Sequence, residues 1–342
     1  MRVSSAAGLL ASVVLVGSAV PVGAGTGLET LLLAGIDSPR STSYVGQFES
    51  VRFSSNRAAA TIVKIDHLAP DRTRRWYVAP ESLYGDYVIS NGSTAFAFDT
   101  HRSKLTVVDK TEPSDVFATG DVQRVLQNFR PLSSGNDDIV ADRPTQSIVL
   151  VNKYTGERAL RLWLDRETHL VLKREAYHGN GSVASQGRFE AIRFTGAIPA
   201  ALFDPKAPAG YTRVAGLTLQ PASTDVDRAI AGAGFTPVEP KRLPQGFAIV
   251  GGEVTTVAGI RTLQLVYSDG LRSLSLFENA RGAAADFGTL QPHEIRFENH
   301  SAQYVEDGPT TLITWTEAGR HFALVGDLLR PELVAIAKSV VP

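Results

Sequence analysis

The side chains that could do chemistry stand at spacings that suit little chemistry. His293 and Glu294 with His300 come nearest to a metal-ligand set, yet His293 follows Pro292 and no ligand pair stands four residues apart on one helix face. These histidines read as solvated or hydrogen-bonded side chains. The run His178-Gly179-Asn180-Gly181-Ser182-Val183-Ala184 holds a loose Gly-x-Gly-x-x-Ala, but it joins two strand-like runs instead of opening a helix, so a hairpin turn explains it. Asp137, Asp138, Asp142, Asp165 and Glu167 offer carboxylates that turn chemistry and surface solvation account for. A Gly-x-Ser-x-Gly elbow, a Ser-x-x-Lys, a His-Glu-x-x-His and a Walker loop are all absent. The chain has no cysteine, which removes disulfides, thiol catalysis, Cys zinc sites and a Cys-based lipid anchor. The expectation is therefore no catalytic residue, no metal and no cofactor. A hydrolase with an unrecognised site is the competing class.

What the search leaves is aromatic side chains on strand-like runs. Phe48, Phe53, Trp76, Phe96, Phe98, Trp163, Phe189 and Phe194 are the candidates. Filling an ordinary sheet core explains most of them. A long antiparallel sheet with few helices, however, has a broad apolar face that must meet something other than water. A curved sheet enclosing an apolar cavity is one solution, and these eight side chains are its expected lining.

The elements that would position them follow from periodicity. Thr26 to Ile36 has helical spacing and a capping box in Thr26 and Glu29, with Ser38-Pro39 expected to stop it. Alternation of apolar and polar residues marks strands at 45–53, 60–67, 73–78, 84–89, 94–99 and 104–108, with Asn91-Gly92 as a hairpin turn. A helix is expected within Ser114 to Arg130. A second strand series follows at 139–143, 146–152, 158–165, 169–177 and 185–194. From Pro199 to Pro244 prolines break every regular pattern, and a further β-rich stretch then closes with a helix over Pro331 to Val340.

Composition bounds the rest. With 342 residues, two domains are favoured over one. Hydrophobic residues at 43% and charged residues at 20% place the chain among globular proteins and exclude disorder. Against 34 basic residues stand 35 acidic ones, so there is no broad positive field and a nucleic-acid partner is not expected. Arg2, the apolar run Leu9 to Val20 and the small residues through Ala24 read as a secretory signal, with a retained membrane anchor as the rival. The expected division is a signal peptide at 1–24, an N-terminal domain at 25–205, a Pro-rich linker at 206–240 and a C-terminal domain at 241–342. Export to the periplasm as a soluble protein is expected. The fold class is mainly β: a curved antiparallel half-barrel sheet covered by helices, plus a smaller β-rich domain with a closing helix.

Five stretches in order, Ser43 to Phe48, Ile139 to Arg143, Leu160 to Lys173, Leu243 to Phe247 and Val266 to Phe277, resemble the MucB/RseB family of periplasmic sigma-factor regulators, whose N-terminal domain is similar to the lipoprotein carriers LolA and LolB. The third, Leu-Arg-Leu-Trp-Leu-Asp-Arg-Glu-Thr-His, is similar to the family's Leu-Trp-Leu-Asp hairpin, with His169 where the family has Gly. The resemblance implies binding of the periplasmic part of a membrane anti-sigma factor, shielding it from proteolysis until a lipid or mislocalised lipoprotein enters. A periplasmic lipid or lipoprotein carrier of the LolA type is the alternative, and it needs only the first domain.

Overall fold

The alternation of the first strand series becomes six antiparallel strands paired in chain order: β1 (Tyr44–Phe53), β2 (Ala58–Leu68), β3 (Arg72–Ala79), β4 (Tyr87–Asn91), β5 (Thr94–Asp99) and β6 (Lys104–Asp109). The computed structural model describes residues 27–53, 58–92, 94–109, 122–135, 138–215, 225–257, 260–280, 291–297, 300–307, 310–326 and 328–340. The signal-peptide reading of 1–24 lies outside them. The second series gives β7 (Phe129–Ser133), β8 (Ile139–Val140), β9 (Arg143–Asn152), β10 (Arg158–Asp165), β11 (Val171–Tyr177) and β12 (Val183–Phe194). β12 returns to pair antiparallel with β1, Tyr44 opposite Phe194, so the two series join into one curved open sheet. β13 (Thr212–Ala215) extends it, parallel to β6.

Several local expectations need correction. α1 spans Gly27–Ser41 and carries Pro39 inside its last turn, where the missing N–H costs one intrahelical bond near a terminus that frays in any case. The helix expected within 114–130 is α2 (Val122–Asn128), and Phe129 starts β7 instead. At Asn91-Gly92 a hairpin does form, but Asn91 pairs with Thr94, so it is the last strand residue and not a turn centre. Its Nδ2 donates to the Phe203 carbonyl at 2.8 Å. Ile139 to Arg143 is a hairpin in place of a strand: Ala141 and Asp142 take φ of 50° and 61°, turning β8 back onto β9.

The chain folds as two compact units that divide between residues 220 and 221. The segment 206–240, expected as an irregular linker, holds β13 and α3 (Val226–Ala233). Asp225 caps α3 by accepting from the Arg228 N–H at 3.0 Å, and Gly234 ends it in the left-handed region at φ 80°. The prolines bound these elements without abolishing them.

The unit Pro221–Pro342 has its own sheet, in the order β14 (Ala248–Val257), β15 (Ile260–Ser268), β16 (Ser273–Asn279), β20 (Arg320–Gly326), β19 (Thr310–Glu317), β18 (His300–Asp307) and β17 (His293–Phe297). β17 went unread because its five residues carry only two apolar side chains. α4 (Arg330–Ala337) closes the unit, burying Leu333 and Ile336 against a core that includes Tyr267, Leu276, Trp315 and Phe322. Buried Glu278 accepts from the Val238 N–H at 2.8 Å and from Arg320 Nη1 at 2.6 Å. Arg320 also donates to the Thr236 carbonyl at 2.7 Å, so this pair fastens the strand-free chain after α3 to the sheet. No helix among the described residues is long and apolar enough to cross a membrane.

Candidate functional site

The pairing of β1 with β12 places Phe48 directly opposite Phe189. Their rings meet edge to face, centroids 5.1 Å apart at 73°, and Tyr44 meets Phe189 the same way at 5.6 Å and 89°. Glycine makes this possible on both strands. A Cβ on Gly46 would stand 2.7 Å from the Ala191 carbonyl oxygen and 3.0 Å from Phe189 Cδ1, while one on Gly187 would stand 2.6 Å from Phe48 Cζ. The rings lie over bare backbone. Around them a single buried cluster gathers Val63, Ile65, Tyr77, Trp163 and Leu172, with Phe194 half-buried at its margin. The Arg143 guanidinium lies over Phe194 at 4.8 Å while bonding Asp165 through Nε at 2.6 Å and Nη2 at 3.0 Å.

His67 ties the cluster to α1. Its ring stacks on Tyr44 at 4.9 Å, and Nε2 donates to the Pro39 carbonyl at 2.6 Å. With Nε2 carrying the proton, Nδ1 accepts from the Thr73 hydroxyl at 2.8 Å. Burial lowers the pKa of His67 against the pull of the Pro39 bond, and Arg75 lowers it further while Asp71 opposes. The neutral imidazole is thus part of the fold. Along the same helix Leu32 is fully buried, and a Cβ on Gly35 would stand 2.6 Å from Leu164 Cδ2, so α1 sits close on β10.

This arrangement has a pH signature. An unfolded histidine titrates near 6.5, and the folded His67 takes up a proton only below that value, so the unfolded chain binds more protons as pH drops. Its contribution to stability is complete above about pH 6.5 and is lost as pH falls toward the lowered folded value. Thermal unfolding between pH 7 and 5 is expected to show a falling midpoint. His67→Gln should make that fall shallower, and an unchanged slope would contradict the role.

Four of the eight expected lining residues, Phe48, Trp163, Phe189 and Phe194, share this cluster. Phe96 and Phe98 do not. They pack with Ile89, Leu105, Ile198 and Phe203, whereas their neighbours Ala95 and Ala97 join the first cluster. Successive residues of a strand face opposite sides, so Phe96 and Phe98 lie on the other face of the sheet and cannot line a cavity with Phe48. Trp76 is 37% exposed and stacks on Tyr87, and Phe53 is half-buried at the end of β1. Tyr44, His67, Gly46 and Gly187 were missed. Gly46 and Gly187 inside strand patterns were the available signal, since a strand glycine often marks close approach of another group. Among the described residues no cluster of three or more metal-ligating side chains occurs.

The fold and this cluster define a class: a mainly β protein with a large curved sheet whose apolar aromatic face carries a helix, followed by a second β unit. The MucB/RseB resemblance read from the sequence stands, for a model described as the MucB/RseB N-terminal domain matches residues 88–207. Ile139 to Arg143 and Leu160 to Lys173 fall inside that match. Among solved structures, MucB in complex with MucA(peri) is similar at a TM-score of 0.61 and 16% identity, covering 92% of this chain and 98% of that one. The MucA/MucB complex of Pseudomonas aeruginosa gives 0.60 at 16% identity over the same shares. A further crystal structure of MucB gives 0.51 at 18%, again over 92% and 98%. At such identities the likeness is one of fold. No curated protein matches the chain.

Proposed function

We propose that this chain is an exported regulator that binds the periplasmic part of a membrane anti-sigma factor and answers to a lipid or lipoprotein ligand. The observation that carries the reading is the fold likeness to MucB in complex with MucA(peri), which extends over 92% of the chain and so includes both units. A carrier of the LolA type needs only the first unit, and the presence of Pro221–Pro342 favours the regulator. No catalysis is invoked; the chain acts by binding. On this reading the apolar ligand enters at the cluster of Phe48, Trp163, Phe189 and Phe194, competing with the contacts that hold α1 over it.

A ligand releases a partner only by favouring the partner-free state, and the coupling is reciprocal. Calorimetric titration of the purified protein with the periplasmic segment of an anti-sigma factor from the same cell, with and without lysophosphatidylglycerol, tests this. Saturating lipid is expected to weaken partner binding by about 1–3 kcal/mol. Phe189→Ser, with melting measured alongside, should weaken lipid binding first. Unchanged partner affinity at saturating lipid would sink the coupling, and failure of any partner segment to bind would sink the regulator.

A further inference from the structure

The face of the sheet opposite the Phe48–Phe189 cluster carries an unassigned arrangement along β3. Thr73 is buried and Tyr77 belongs to the first cluster, so Arg72, Arg74 and Trp76 alternate onto the second face. Trp76 stands opposite Lys64 on one side and Tyr87 on the other. Its ring stacks on Tyr87 at 5.7 Å and 13°, and Tyr87 stacks on Phe98 at 4.3 Å and 12°, making a ladder anchored in the core and open at Trp76. The Arg74 guanidinium sits 5.0 Å from the Trp76 ring centre and 5.8 Å from that of Tyr87, and Arg72 sits 5.8 Å from Phe203.

Stacking holds a guanidinium by its face and leaves its N–H edges free to bond an anion. Among the described residues none of Lys64, Arg72 and Arg74 pairs with a carboxylate; Asp66, opposite Arg74 in the register, makes no ion pair with it. Arg72 and Arg74, held by aromatic contacts, thus share one patch with Lys64 and the exposed Trp76 indole, against Asp66 and the adjoining Asp71 as acidic neighbours. We infer that this patch docks an extended acidic peptide segment, with carboxylates two residues apart meeting Arg72 and Arg74 and an apolar side chain next in line meeting Trp76. The spacing argues for the peptide: side chains on one face of an extended chain repeat at about 6.8 Å, the repeat of Arg72, Arg74 and Trp76 themselves. Arg72 and Arg74 are also half-buried, which suits a chain lying along the strand better than a flat anionic membrane. The inference goes beyond the proposed ligand site, which lies on the other face.

The test uses the acetylated, amidated peptide Glu-Thr-Glu-Thr-Phe-Thr, its Lys-Thr-Lys counterpart and phosphatidylglycerol vesicles. Trp163 and Trp315 are 3% and 2% exposed, so a change in the emission of exposed indole reports Trp76. The acidic peptide is expected to give a saturable change that weakens with salt, is absent with the lysine peptide, and falls about tenfold in affinity in Arg74→Gln at unchanged melting temperature. Should Arg74→Gln not fold, Lys64→Gln at its exposed position is expected to weaken binding in the same direction. Equal response to the lysine peptide, no saturable response, an affinity untouched by these substitutions, or response to the vesicles alone would each overturn the inference.

Discussion

Replacing Asp165 by alanine is expected to lower the unfolding free energy by about 3 kcal/mol, the upper range for donors left unpaired when a charged acceptor is removed, while Arg143 keeps its bond to Glu167. Asp165 is fully buried and takes both bonds from Arg143, together with the Glu167 N–H at 3.1 Å, the Thr168 N–H at 2.8 Å and the Thr168 hydroxyl at 3.0 Å. One carboxylate therefore organises its own turn and braces the β8–β9 hairpin beside it. Burial pushes its carboxyl up, but the bonds from Arg143 and Thr168 outweigh this and hold it below the ordinary value. The stability it contributes is present above the unfolded value, near pH 3.9, and is lost as pH falls through the lower folded one. Urea unfolding at pH 7 measures the effect, with Asp165→Asn expected between the wild type and Asp165→Ala. A loss in Asp165→Ala no larger than that of an exposed carboxylate would refute the brace.

Gly46→Ala is expected to cost about 2–3 kcal/mol, as overpacking does where neighbours cannot retreat. On one side the new methyl meets the Ala191 carbonyl, part of the paired backbone of β12, and on the other the Phe189 ring, itself wedged between Tyr44 and Phe48. Gly187→Ala presses only on the tip of the Phe48 ring and should cost less. The order of the two midpoints in urea is the check; the reverse order would mean that the β12 backbone yields more readily than the Phe48 ring.

Local pattern carried the fold class and most strands, because alternation is written in neighbouring residues: Val63 with Ile65, and Phe96 with Phe98, do share faces. Pro331 at the start of α4 was legible too, whereas the Asp225 and Gly234 signals around α3 were submerged among prolines, and the Thr26 capping box lies outside the described residues. The candidate site was half legible. Which aromatic residues lie on strands follows from spacing, but which face each strand turns toward another depends on register and on the return of β12 to β1. No residue near Phe48 announces that Phe189 will lie across from it. The same holds for His67, whose partners Pro39 and Thr73 come from two other elements.

The pairing of Tyr44 with Phe194 also sets an order of events in folding. It is the least local contact of the first unit's sheet, and its loop-closure entropy must be met before the aromatic cluster repays any of it, so formation of this seam is expected to be late and slow. A chain made from its N-terminus presents β1 long before β12 arrives. During that interval β1 has β2 on one side and an unpaired edge on the other, with Val45, Phe48 and Val51 along it. Until β12 arrives, that open edge is the part of the folding chain most exposed to association with another chain.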